Sequence, residues 1–402
     1  MRTRCLLVYL SMAVVMAIYP GAASANVFDT LAAATAEGSG SLGFRYRVEH
    51  VDQDGIDATA TASTARARYT WTSGAVGAVR FGFEADYVAL IGPERYNSTE
   101  NGRVRYPVVA DPEGFDLNQA FVKWAGDGVT VTGGRQRINH GGQRFVGGVA
   151  WRQNEQTFDG LRVEAALGGG SLDYAYVANV NRIFGPGDGA QPGDWRSDSH
   201  LLQARRPLGE RLTVGAFGYL MDFDNDNGPV NANATYGIEA VLRLGSTTVS
   251  AALARQQDYA DSPLDYRADY GWLEAAWAFD PVTVKLGYEV LGSDGGAAGF
   301  RTPLATLHKF QGWADVFLNT PADGVRDLYV EAAAKVGRLG LSAVYHDFSA
   351  DRGRRDYGRE LDVAVSYPLT GRIGLELKLA SYRADGFATD TVKAWATINV
   401  QL

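Results

Sequence analysis

The amino-acid sequence predicts an all-β fold: a transmembrane antiparallel β-barrel of about 18 strands. Three observations carry that expectation. Long segments alternate apolar and polar residues with a period of two, short turns alternate with long polar loops, and aromatic residues gather beside the short turns.

The alternation is clearest in three places. Near the start, Leu42, Phe44, Tyr46 and Val48 are interleaved with Arg45, Arg47 and Glu49. Val282, Val284, Leu286, Tyr288 and Val290 flank Thr283, Lys285, Gly287 and Glu289. Ile373, Leu375, Leu377 and Leu379 alternate with Arg372, Gly374, Glu376 and Lys378. A period of two with one apolar face is the signature of a strand. Such segments run about ten or eleven residues, enough for a tilted strand to cross a bilayer, whereas soluble strands usually have about five or six. Charges recurring in mid-strand suit a water-filled interior.

Short turns are expected at 73–77, 126–128, 168–170, 207–210, 245–246, 280–281, 337–338 and 368–371. Long loops are expected at 52–60, 91–116, 138–156, 181–198, 222–233, 258–266, 293–325, 349–357 and 383–390. The two kinds alternate throughout, provided that 308–318 is not a strand. That segment has helical spacing at Leu307, Phe310, Ala314 and Phe317, so it falls within the loop 293–325, read as folded inward. About 18 strands remain, with both termini on the short-turn side. Tyr69, Trp71, Trp124, Trp277, Phe279 and Tyr367 lie beside short turns, as an interfacial girdle requires.

The chain begins with an export signal. Arg2 and Arg4 precede an apolar run from Cys5 to Tyr19, and Ala23-Ser24-Ala25 offers a small-residue cleavage site. Removal of 1–25 leaves a single barrel domain over 26–402, without cysteine and hence without disulfides. It also leaves 36 basic residues against 46 acidic ones, which argues against nucleic acid as a partner.

Two other chemistries find little support. His50, His140, His200, His308 and His346 form no metal-ligand spacing, and no Gly-x-Ser-x-Gly elbow accompanies them, so no enzyme is expected. Asp222, Asp224 and Asp226 alternate like the start of a calcium loop, but the glycine comes one residue late and Asn233 stands where a closing glutamate belongs. They remain a weak metal candidate, and no cofactor is expected.

A barrel of this size is too wide for side chains to fill. Arg45, Arg47, Arg66, Arg68, Arg162 and Lys285 fall on the inward face, and Arg135 and Arg137 join them if Gly133-Gly134 is a bulge that resets the phase. Glu49, Glu84, Asp86, Glu289 and Glu360 also point inward, so the wall is mixed. Two roles stay open for the arginines: a ladder for an anionic solute, or cross-strand pairing that stiffens the wall.

The segment 134–162 is the most informative. Gly134-Arg135-Gln136-Arg137 closes one strand, and Phe158-Asp159-Gly160-Leu161-Arg162 opens the next. With His308-Lys309-Phe310-Gln311-Gly312-Trp313-Ala314-Asp315 and Asp327-Leu328-Tyr329, this pattern resembles the alginate-export family of outer-membrane channels. The resemblance implies an 18-stranded barrel with an electropositive constriction that passes a polyuronate outward from the periplasm. It places Arg135, Arg137, Arg144, Arg152 and Arg162 at that constriction, with Lys309 on the same pathway. The chain departs from the family in ending at Leu402 instead of an aromatic residue, and in the number of its lumenal acids. The expected protein is a bacterial outer-membrane channel for anionic saccharides or other anions, with outer-membrane lipid around it and periplasmic export or biosynthesis proteins as possible partners.

Overall fold

The computed structural model describes residues 24–402 apart from Asp226. The expected leader, 1–25, lies outside the described residues except for Ser24 and Ala25.

A helix, α1 (Ser24–Ala36), precedes the sheet. Period-two reading did not anticipate it, but the Leu31-Ala-Ala-Ala-Thr-Ala run is rich in the strongest helix former. Its last turn rests on the first short turn, where the Gly74 amide donates to the Ala34 carbonyl at 2.7 Å.

Eighteen strands follow among the described residues. The first six are β1 (Ser39–Gln53), β2 (Ala60–Thr72), β3 (Val79–Leu90), β4 (Gly114–Gly126), β5 (Val129–Gln136) and β6 (Thr157–Leu167). The next six are β7 (Gly170–Asn181), β8 (Asp194–Leu208), β9 (Leu212–Met221), β10 (Asn233–Leu244), β11 (Thr247–Asp258) and β12 (Arg267–Phe279). The last six are β13 (Val282–Leu291), β14 (Val325–Val336), β15 (Leu339–Ser349), β16 (Asp356–Pro368), β17 (Ile373–Ala384) and β18 (Thr391–Gln401). Each strand pairs antiparallel with its sequence neighbours, and β18 returns to β1 with Gly43 opposite Gln401 and Gln53 opposite Thr391. No edge is left open, which satisfies every ladder group where water is absent.

The outer face is apolar. Leu253, Leu273, Leu286 and Leu377 stand on it with their side chains uncovered by protein. Leu253 opposes Ile238 on the neighbouring strand, and both are about 60% exposed. A surface of this kind is stable only against hydrocarbon. At the short-turn end Tyr69 and Trp71 pack beside Phe83, with ring centroids 5.9 Å apart in both pairs.

The long segment 292–324 departs from its helical spacing. Within it, only Leu307–Lys309 forms a helical turn, of the 3-10 type, and the remainder is turns and irregular chain. Leu304, Ala314 and Phe317 are buried because the segment packs against the inner wall and a second loop, not because it forms a helix.

The expected bulge at Gly133-Gly134 is also absent. Pairing runs unbroken through both glycines, to Val122 and Phe121 on one side and to Leu161 and Gly160 on the other. Gly134 adopts φ +111° because the Ala120 carbonyl lies against it, where a side chain would collide. Register shifts fall elsewhere, between Glu84 and Ala85 on β3 and between Asp159 and Gly160 on β6.

Candidate solute pathway

Two loops enter the lumen and meet there. In 137–156, the Gly147 amide donates to the Leu304 carbonyl at 2.8 Å, and Val146 and Leu304 form a parallel bridge. The Thr306 amide donates to the Gln143 carbonyl at 3.0 Å. The Gln156 side chain reaches the carbonyls of Gly147 and Leu304 at 2.8 and 3.0 Å. Together the two loops narrow the interior.

Loop 137–156 is held by the basic wall of β1 and β2. Arg45 donates from Nη1 to the carbonyls of Ala150, Trp151 and Arg152 at 3.1, 3.3 and 3.2 Å. Arg47 donates to the Trp151 carbonyl at 2.7 Å, and its guanidinium stands 4.0 Å from that indole centroid. Arg66 donates to the Gln153 carbonyl at 3.1 Å. Inward parity at positions 45, 47, 66 and 68 is what lines these side chains up on one face.

Acids complete the anchoring. Glu155 receives Arg68 at 2.5 Å and also binds Arg137, which in turn binds Glu84. Arg68 grips Asp86 with two hydrogen bonds, at 2.7 and 2.5 Å. Arg152 forks onto Glu49 at 2.9 and 3.1 Å. The Arg68 and Arg137 guanidiniums outweigh burial and hold the Glu155 carboxyl down at about 2. The large desolvation cost of these charges is offset only because each is paired and hydrogen-bonded.

Loop 292–324 is held by the adjoining wall of β16 to β18. Ala314 and Trp313 donate their amides to Glu360 at 2.6 Å and to Asp362 at 3.1 Å. Asp315 accepts from Lys393 at 2.7 Å and lies 2.9 Å from the His308 Nδ1. The Lys378 ammonium stands 3.9 Å from the Trp151 ring and 3.8 Å from the Trp313 ring, with His308 Nε2 at 2.8 Å. One lysine of the wall thus touches both loops. His308 stacks on Trp151 with centroids 4.3 Å apart, and burial holds its imidazole down at about 3.

The sequence-derived candidates do not form one constriction. Arg45, Arg66, Arg68 and Arg137 line a cavity of about 640 Å³ at the short-turn mouth, beneath loop 137–156. Five arginines, Arg372 included, face two glutamates there, Glu84 and Glu155. Arg45 and Arg66 form no ion pair with a carboxylate among the described residues: the groups they donate to are uncharged. Arg47 is buried beneath the loop, and Arg152, part of the loop, is buried against Glu49 of β1. Arg144 pairs with Glu289 at 2.6 Å, and Arg162 forks onto Asp173 at 2.9 and 2.5 Å. Lys285 pairs with Glu331 at 2.8 Å, and Lys309 donates to the Gly142 carbonyl at 2.9 Å.

Arg135 and Arg137 part company. Arg135 shares the parity of Gly133, opposite the outward Leu161, and forks onto Asp159 at 2.7 and 3.0 Å. With no bulge to reset the phase, only Arg137, beyond the strand end, turns into the lumen. Among the described residues no three acids or histidines converge to hold a metal. Asp222 and Asp224 are two of the weak candidates, and Asp226 lies outside the described residues.

Glu155, Trp151 and Lys378 were missed as site residues. A lone acid and indole inside an arginine-rich loop, and a lysine on inward parity, were the available signals.

A basic wall at one mouth, with two loops folded in above it, limits what a wide barrel can admit. Residues 39–182 match the alginate export family. The matched segment runs from β1 to the end of β7 and contains loop 137–156 with the arginines that anchor it. It stops well before loop 292–324. Among curated proteins, none matches the sequence.

Among solved structures, OccAB4 of Acinetobacter baumannii is 13% identical, with a TM-score of 0.69, and the alignment covers 91% of this chain and 98% of that one. OpdO of Pseudomonas aeruginosa is 16% identical, with a TM-score of 0.70, covering 92% and 98%. OpdK of Pseudomonas aeruginosa, solved with vanillate, is 16% identical, with a TM-score of 0.68, covering 92% and 99%. These likenesses show a shared fold, that of outer-membrane porins. The alginate-export segment, the closed barrel and the lipid-facing exterior make this chain a porin-like channel of the bacterial outer membrane.

Proposed function

We propose that the channel passes anionic solutes, with oligouronates of the alginate type as the leading class. The observation that carries this reading is the short-turn vestibule, where Arg45 and Arg66 line the cavity and donate only to uncharged groups among the described residues while Arg68, Arg137 and Arg372 stand nearby. Guanidinium forks match carboxylates in shape and charge, and a row of them offers a polyanion successive holds of similar strength. Fixed positive potential at a narrow, low-dielectric mouth raises the local anion concentration. The reading includes the leader at 1–25, which export to that membrane requires.

The experiment is reversal potential in planar bilayers under a salt gradient. Intact protein is expected to favour anions, and Arg45→Ala with Arg66→Ala to reduce that preference several-fold. Cation preference in the intact channel contradicts the proposal.

A second reading is a small aromatic carboxylate, as OpdK was solved with vanillate. The contact of the two loops across the lumen favours it, because a narrow path suits a compact solute better than a chain. Current block by oligouronates that deepens with chain length supports the first reading. Block by vanillate alone supports the second.

A further inference from the structure

The outer wall carries one feature that solute passage does not use. On β7 to β11, near the short turns, small outward residues leave a groove of about 610 Å³, within the size range of small-ligand sites. Its floor is Ala204, Ala216 and Val214, continued by Ala240 and Ala251, all joined by direct cross-strand pairing. Ile238 and Leu253 rise on one side and Leu172, opposite Ala204, on the other.

Arg206 stands at the end of this groove. It shares the outward parity of Leu202 and Leu208, both exposed to lipid, and opposes Val214. Two residues separate it from the strand end, about 7 Å along β8 at about 3.3 Å per residue. A Cβ added at Gly170 would stand only 3.4 Å from the Arg206 Cβ, so the absence of a side chain there leaves room for the arginine stem. Among the described residues Arg206 makes no ion pair.

Three other outward arginines are paired with acids. Arg255, Arg359 and Arg383, all at the long-loop end, pair with Asp269, Asp347 and Asp390 at 2.7, 3.3 and 2.7 Å. An arginine on the lipid face is costly unless its charge reaches the interface or finds an anion. Arg206 has the reach, and the groove beside it is shaped for hydrocarbon.

We infer that this groove binds an anionic phospholipid of the short-turn leaflet, its phosphate held by Arg206 and an acyl chain laid over Ala204, Ala216 and Ala240. The guanidinium fork accepts phosphate bidentately, and a net anionic headgroup leaves no ammonium to compete for it. The apolar floor contributes burial, and Arg206 contributes headgroup preference.

The test is native mass spectrometry of the folded full-length barrel from micelles holding equal phosphatidylglycerol and phosphatidylethanolamine. One phosphatidylglycerol is expected to remain at activation that strips phosphatidylethanolamine. Arg206→Gln should lower that retention on the order of ten-fold, the size expected for one hydrogen bond to a charged group. Ala216→Leu with Ala240→Leu should lower it by filling the floor, and Arg255→Gln should leave it unchanged. Heat-modifiable gel mobility verifies that each variant is folded. Equal retention of both lipids, or unchanged retention in Arg206→Gln, overturns the inference. So does a dimer of the intact protein that the floor-filling variants convert to monomer, because a second copy would then occupy the groove.

Discussion

The Glu155 carboxylate lies 2.5 Å from the Arg68 guanidinium, tying the inward end of a long loop to the second strand of the barrel. The bond joins two residues 87 positions apart, and through Arg137 it also secures the strand end from which the loop departs. Both positions fall within the alginate-export segment. The arginines of this wall therefore have two duties. They anchor a loop, and where uncharged acceptors leave their charge unneutralised they present it to the vestibule.

Glu155→Gln is expected to free that loop. Removing one partner of a buried, paired charge typically costs about 3–5 kcal/mol, and two guanidiniums each lose one of their carboxylates here. The midpoint of the heat-modifiable shift should fall, and single-channel currents should become larger and noisier. A variant as heat-stable and quiet as the parent shows that the anchor lies elsewhere.

Acid should loosen the two loops in separate stages. Docked His308 is held down at about 3 by burial, opposed by Asp315, against 6.5 when free. Docked Glu155 is held down at about 2 by Arg68 and Arg137, which overcome burial, against 4.5 when free. In both cases the docked loop binds fewer protons than the undocked one, so docking weakens as pH falls. The His308 contribution is complete above 6.5 and declines toward 3, whereas the Glu155 contribution is complete above 4.5 and declines toward 2. Open-channel noise recorded from pH 8 to 3 should rise first with the His308 component, which His308→Gln removes. Noise that rises with increasing pH contradicts the assignment.

Arg135→Ala should leave ion selectivity almost unchanged, because this side chain sits on outward parity and is committed to Asp159. Arg137→Ala, by contrast, removes a cation from the vestibule and releases Glu84 and Glu155. Reversal potentials of the two variants separate the cases, and equal effects would show that parity does not govern this strand end.

Lys378→Met removes the cation between Trp151 and Trp313. Desolvated cation–π contacts are worth about 2 kcal/mol each, so the two loops should separate more readily. Limited proteolysis within 292–324 and an altered tryptophan emission spectrum are the expected signs. Resistance equal to the parent's would place the latch on Asp315 and Lys393 instead.

Gly160→Ala should impair folding of the barrel itself. A Cβ at this register shift would meet the Tyr176 carbonyl well inside contact distance, and overpacking a ladder costs about 1–3 kcal/mol. Refolding yield into detergent measures the effect. Gly133→Ala nearby faces open space beyond Leu161 and should refold normally.

Much of this architecture was legible because the solvent imposes it. Leu42, Phe44 and Tyr46 must meet hydrocarbon while Arg45 and Arg47 meet water, so strand parity, turn positions and strand number follow from a period of two. The same rule placed Arg45, Arg66 and Arg68 together on the inner wall. It misplaced Arg135, because a glycine pair can signal a close backbone approach as readily as a bulge. The helical spacing in 307–317 misled for a related reason: buried residues recur wherever a segment is covered, whatever conformation it holds.

By itself the sequence determined a closed antiparallel barrel with a lipid-facing exterior, since one-dimensional alternation is enough to specify which side of a strand each residue takes. Only the tertiary structure decided which arginines remain available to a solute. That choice depends on the carbonyls of 150–153, on Glu155 and on Lys378, brought together by two loops that fold into the lumen. Contacts between residues tens to hundreds of positions apart leave no period in the chain, and they set the charge that the channel presents.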